Sequence, residues 1–270
     1  MTDLPPPQGT TLSHYPQALT VDDFRHNLAR VRQRIAEACK RSGRDPASVR
    51  LLPVSKTVDE SLVRLSCAAG CRELGENKVQ EAYRKWQAMS DLADLRWSVI
   101  GHLQTNKVHL VARFAHEFQA LDSLRLAEAL ERRLQALGRG LDVFVQVNTS
   151  GEASKYGLAP TEVTRFVREL APYPALRVRG LMTLAMPSPD AARVRPCFAL
   201  LHDLRERLRQ ELPGGSEIAQ LSMGMSGDME LAIEEGATVV RVGQAIYGAR
   251  ALPDSHFWPA SPTDHSLLNP

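Results

Sequence analysis

The chain has 270 residues, 43% apolar and 24% charged, and its 33 basic and 31 acidic residues leave a net charge of +2. That mixture is ordinary for a soluble globular protein and makes no electrostatic case for nucleic acid or an anionic membrane surface. No apolar run approaches the roughly 20 residues of a membrane span. The N-terminus MTDLPPPQGTTLSHYP lacks the basic start and apolar centre of a signal peptide, so a cytoplasmic protein is expected. Cys67 and Cys71 form a lone CxxxC with no second pair and no nearby histidine, which suits reduced, packed thiols better than a metal site.

Residues 1–19 hold Pro5, Pro6, Pro7 and Pro16 and read as an irregular tail. A helix follows. Thr20 is a candidate cap with Asp23 three residues on, and Phe24, Leu28, Val31, Ile35 and Ala38 form one apolar stripe that ends before Gly43. Strand patterns then appear at residues 49–55, 71–75, 95–101, 116–122, 141–148, 176–183, 218–224 and 238–243. Helical patterns fill the intervals at 59–69, 78–89, 105–112, 124–137, 160–170, 190–211 and 229–235. Residues 253–270 hold four prolines and read as a second irregular tail, with Phe257 and Trp258 as possible docking anchors.

Alternating strands and helices imply parallel strands with helical crossovers. Eight units over residues 20–252 fit an α/β fold of the (β/α)8 TIM-type barrel, with one extra helix at its N-terminus. An open doubly wound sheet is the competing architecture. It normally carries a glycine-rich dinucleotide turn after its first strand, whereas here that strand ends in SKTVDE.

Barrel chemistry sits at the C-terminal strand ends. Lys56 shares parity with Leu52 and Val54, so all three should face the barrel axis. Desolvation there would lower the lysine's pKa and suit it to Schiff-base formation with a carbonyl. The competing reading is a surface lysine just past the strand. LSMGMSGDM closes the seventh strand, with Ser226 as the expected cap of the next helix, and VRVGQ closes the eighth. Barrels often bind phosphate at these two loops, where Ser226, Gly243 and Gln244 offer donors; tight turns alone would also explain the glycines. Arg241 shares parity with Val239 and Gly243 and should point inward. It is placed either against a cofactor ring or in an ion pair with Glu73 or Asp122. A Schiff-base lysine with a phosphate cup is what pyridoxal 5'-phosphate (PLP) requires.

LLPVSKT, GENKVQEA, WSVIGHLQTNK, GLMTLAMP, LSMGMSGDMELAI and VRVGQAIYGAR occur in this order from Val49 to Arg250. In these motifs the chain resembles the pyridoxal phosphate homeostasis proteins, single-domain relatives of the alanine racemase N-terminal barrel. The resemblance implies a fold-type III PLP-binding barrel and a monomer. It also implies Lys56 as the cofactor lysine, Ser226, Gly243 and Gln244 around the phosphate, Arg241 facing the ring, Asn77 on the pocket wall, and Met223 among the cofactor-binding residues. Gln244 stands where the family usually has threonine.

A racemase of this fold needs a second acid/base group, which its relatives take from a second domain. After the barrel only residues 249–270 remain, too few for one. A reversible PLP carrier without dedicated turnover, with apo PLP-enzymes as possible recipients, is therefore the first expectation. A weak amino-acid racemase using Lys56 and either a water or Tyr156 is the alternative, and Tyr83 and Tyr247 carry no motif for that role. A Schiff-base aldolase acting on a phosphorylated sugar is a third possibility.

Overall fold

The computed structural model describes residues 15–249. Most of the N-terminal tail, and the C-terminal stretch with Phe257 and Trp258, lie outside the described residues. The elements run α1 (Val21–Arg41), β1 (Arg50–Pro53), α2 (Glu60–Ala68), β2 (Glu73–Glu76), α3 (Val79–Ala88), β3 (Arg96–Val99), α4 (Val108–Phe114) and β4 (Glu117–Leu121). They continue with α5 (Leu124–Ala136), β5 (Leu141–Gln146), α6 (Val163–Glu169), β6 (Leu176–Met182), α7 (Ala191–Glu211), β7 (Gln220–Ser222), α8 (Met229–Glu234), β8 (Val239–Val242) and α9 (Gln244–Tyr247).

All the ladders are parallel, in the order β1-β8-β7-β6-β5-β4-β3-β2. A bridge between Val54 and Gly75, with the Ser55 N–H donating to the Gly75 carbonyl at 3.0 Å, joins β1 to β2 and closes the barrel. Each of the eight strand patterns forms its strand, and each helical pattern its helix. The capping box appears as well: Thr20 Oγ1 accepts from the Asp23 N–H and Asp23 Oδ2 from the Thr20 N–H. The stripe from Phe24 to Ala38 is buried, and α1 packs across α8, α9 and α2.

Strand alternation gives the barrel two chemistries. Phe118, on one face of β4, is buried among apolar residues, while its neighbours Glu117 and Gln119 turn into the barrel and meet strands that are not adjacent in the sheet. Glu117 accepts from Arg50 Nη2 (2.6 Å), Ser98 Oγ (2.8 Å) and Gln119 Nε2 (2.6 Å). Gln119 Oε1 accepts from Ser222 Oγ (2.6 Å), which in turn accepts from Arg241 Nη1 (2.7 Å). A hydrogen-bonded column thus runs from Arg50 at the start of β1 to Arg241 near the end of β8. Buried polar groups are tolerable only when partnered in this way.

Candidate functional site

A cleft of about 420 Å³ opens at the C-terminal ends of β1, β6, β7 and β8, a size typical of small-molecule sites. Lys56, Ser226, Arg241, Gly243 and Gln244 all line it, together with Val54, Ile100, the 184–189 loop after β6, and Tyr15.

Lys56 is buried, 3% exposed, on the parity of Leu52 and Val54. Arg241 is also 3% exposed, and its guanidinium donates to Ser222 Oγ (2.7 Å) and the Thr183 carbonyl (2.8 Å). Burial pulls its pKa down to about 10, opposed by the Asp228 carboxylate, which leaves it a cation at neutral pH. The alternative ion pairs are not formed. Glu73 meets Arg50 and Arg96, and Asp122 lies 3.7 Å from His102.

The loop after β7 departs from the expected cap. The N-cap of α8 is Asp228, not Ser226. Asp228 Oδ1 accepts from the Met225 N–H and closes a turn, so the helix starts at Met229 and Ser226 sits in the turn. The Ser226 hydroxyl accepts from the Ala245 N–H (3.3 Å), which couples this loop to the one after β8. Among the described residues nothing accepts from the backbone N–H groups of Ser226, Gly227 and Gly243. Gly224 is required here. Its φ is +91°, and a Cβ would fall 2.6 Å from Ala232 Cβ. Burial pushes the Asp228 carboxyl upward, while the Met225 N–H and Arg241 oppose that rise.

Two expected residues lie outside the cleft lining. Met223 has the opposite parity to the inward-facing Ser222 and is wholly buried; Met225, two residues on, lines the cleft instead. Asn77 is buried where β2 turns toward α3, its backbone so close to Gly101 that a Cβ there would lie 2.2 Å from the Asn77 carbonyl oxygen. The tyrosines are also displaced. Tyr156 stacks on His102 at 4.0 Å, outside the cleft lining. Tyr247 is buried against Ser66 Oγ at 2.9 Å, its phenol pushed well above the ordinary value by burial. Tyr83 packs on Trp86 and Phe114.

Tyr15 belongs to the cleft, although the sequence around it reads as tail. Its hydroxyl donates to the Ser226 carbonyl (3.2 Å), and Arg34 Nη2 donates to the same carbonyl (2.9 Å) while pairing with Glu230. Residues 15–18 are tied down by bonds from the Ala18 N–H to the Tyr247 carbonyl and from the Ala249 N–H to the Tyr15 carbonyl. Gly248, at φ +105°, permits that approach, since a Cβ would lie 2.6 Å from Gln17 Cα.

A closed barrel with a buried lysine facing an open glycine-bearing loop pair defines the class built like the alanine racemase N-terminal domain, and the family model of that description matches residues 19–251. An alanine racemase from Clostridium difficile, 15% identical, shares the fold with a TM-score of 0.68 over 91% of this chain and 61% of that one. The pyridoxal phosphate homeostasis protein of Pseudomonas aeruginosa is 43% identical over 224 residues, 83% of this chain and 94% of its own. That of Escherichia coli K12 is 40% identical over 85% of this chain and 98% of its own. The structure of PipY from Synechococcus elongatus with PLP bound is 34% identical, with a TM-score of 0.74 over 83% of this chain and all of that one. The chain belongs to the pyridoxal phosphate homeostasis protein family.

Proposed function

We propose that this protein holds PLP reversibly on Lys56 and buffers or delivers the cofactor, without a catalytic turnover of its own. The observation that carries this reading is the single cleft in which a buried lysine amine, a buried arginine and the open N–H groups of two loops converge. The donor set fits the cofactor's two functional ends. When bound, PLP supplies an aldehyde that condenses reversibly with an amine, and a phosphate that backbone N–H groups can hold. In this reading Lys56 holds the aldehyde end, while Ser226, Gly227, Gly243 and Gln244 hold the phosphate. Arg241 would meet the pyridine end of the ring. A cation fixed there by Ser222 and Thr183 would keep the ring nitrogen from taking a proton and weaken the ring as an electron sink. That favours holding over turnover, in line with relatives named for homeostasis.

The cofactor's recipients in this reading are apo PLP-dependent enzymes, met by a cytoplasmic monomer. Four buried, free cysteines and an evenly mixed charge support that setting, as does the lack among the described residues of any helix long and apolar enough to cross a membrane. Nothing in the charge pattern favours nucleic acid or a membrane as partner.

Carrier and racemase separate on one measurement. Holoprotein incubated with L-alanine in deuterated water is expected to leave the α-hydrogen in place over hours, read by proton NMR. Exchange at enzymatic turnover rates would overturn the carrier reading. A second test addresses the loop. Arg34→Ala removes a charged donor from the Ser226 carbonyl, and PLP affinity is expected to fall by about tenfold. Pyridoxal, which lacks the phosphate, should bind equally to both proteins, and an equal loss for both ligands would count against a phosphate loop at Ser226.

A further inference from the structure

A second set of charges lies behind Lys56, on the helix side of the barrel wall. Glu76 at the end of β2 is fully buried, and Lys85 on α3 is 8% exposed. Lys85 Nζ donates to Glu76 Oε1 (2.7 Å) and to the Ser55 carbonyl (2.8 Å), and Ser55 Oγ donates to the same Glu76 oxygen (2.7 Å). Glu81, one turn before Lys85, lies 3.2 Å from its ammonium and accepts from the Thr57 N–H (3.0 Å). Ser55, immediately before Lys56, is therefore held by Lys85 of α3 and by Glu76 at the end of β2, and Thr57, immediately after it, by Glu81 of α3.

Thr57 carries the second observation. Its φ is +64°, and among the described residues it is the one non-glycine in the left-handed region. A β-branched side chain disfavours that conformation, so it persists only where surroundings impose it. The bond to Glu81 is positioned to impose it. Burying Lys85 with Glu76 is costly in itself, and hydrophobic residues of the same volume would pack as well. Glu76 Oε2 even lacks a hydrogen-bond partner, and burial pushes the Glu76 carboxyl upward against the pull of Lys85 and Ser55. A cluster that stabilises so poorly is better explained by what it holds in place.

We propose that Glu76, Glu81 and Lys85 are positioning residues that fix the backbone on both sides of Lys56 and so set the direction of its amine into the cleft. The proposal rests on the reading of Lys56 as the cofactor lysine. With Glu81 removed, Thr57 relaxes toward a right-handed conformation, and the Lys56 side chain swings with it.

The test begins with wild-type protein reduced by borohydride in the presence of PLP. Absence of a fixed adduct at Lys56 would remove the functional reading itself. Given the adduct, Glu81→Ala is expected to release PLP about tenfold faster, the effect of one lost charge-assisted bond, and to shift the pH midpoint of the bound cofactor's absorbance band. In the cofactor-free protein the Thr57 amide should exchange faster with deuterium. The double variant Glu81→Ala with Thr57→Gly is the decisive arm, because glycine adopts a left-handed φ without strain. It should recover most of the lost retention and the wild-type band midpoint. Wild-type release from Glu81→Ala alone, or no recovery in the double variant, overturns the proposal. Should Glu81→Ala not fold, Glu81→Gln keeps an acceptor for Thr57 and drops the charge. Wild-type release from it supports the backbone role, and fast release refutes it.

Discussion

Lys56→Ala is expected to give a folded, colourless protein that forms no borohydride-stable adduct with PLP. The strand end it sits on is held without its side chain. The Val54 N–H donates to the Val242 carbonyl and the Ser55 N–H to the Gly75 carbonyl, while Lys85 grips Ser55 from behind. Alanine keeps all of these, so the cofactor-free variant should melt within a few degrees of wild type. The loss appears on adding cofactor. A ligand at one hundred times its dissociation constant stabilises the native state by about 2.7 kcal/mol, which corresponds to a rise of about 5–10 °C in Tm at this chain length. Wild type should show that rise, and Lys56→Ala should show little of it, because the phosphate loop alone holds the ligand weakly. A variant that still gains the full rise would place the attachment elsewhere, and one that melts before cofactor is added would mean the lysine has a structural part.

The fold was readable because its signals are local and repeated. Each barrel strand is a short apolar run such as residues 141–146, each crossover shows a helical stripe, and the Thr20–Asp23 box marks the first helix. Lys56 and Arg241 were readable for a related reason: a period of two carries side-chain direction from Leu52 to Lys56 and from Val239 to Arg241. What escaped depends on tertiary neighbours. Tyr15 reaches the cleft through a bond to a residue 211 positions away, which no local pattern encodes. Ser226 is the cap expected from the sequence, but aspartate caps helices as well as serine does, and only the fold of the turn decides that Asp228 closes it. Met223 and Met225 share one parity, so strand alternation does not separate them; Met223 packs in the core just past β7, whereas Met225 sits in the turn that Asp228 closes and lines the cleft. In the sequence Glu81 and Lys85 of the brace are an ordinary charged pair one helical turn apart and Glu76 a strand-end residue, since their meaning lies in two backbone atoms of another segment.

The largest loss of stability is expected from Glu117→Ala. Glu117 is 7% exposed and receives three donors inside the barrel, from Arg50, Ser98 and Gln119. Alanine leaves all three without this acceptor. Breaking a buried charge pair by removing one partner costs about 3–5 kcal/mol. Arg50 keeps Glu73 on its other arm, at 2.7 Å, so the lower end applies. A loss of about 3 kcal/mol lowers Tm by roughly 6–12 °C for a chain of this size. Arg177→Ala is the control. Its partner Asp142 is equally close at 2.6 Å, but the arginine side chain is 48% exposed, and such solvated pairs contribute less than about 1 kcal/mol. Thermal unfolding followed by circular dichroism compares the two directly, and equal shifts would mean that the interior column is no more than a set of surface-like pairs. The Glu117 variant should also reach the cleft. Gln119 loses the acceptor that orients its amide, Ser222 Oγ donates to the Gln119 side-chain Oε1, and Arg241 donates to Ser222 Oγ. A shifted absorbance band for bound PLP in Glu117→Ala, with an unshifted band in Arg177→Ala, is the expected sign that the column aims the arginine as well as filling the barrel.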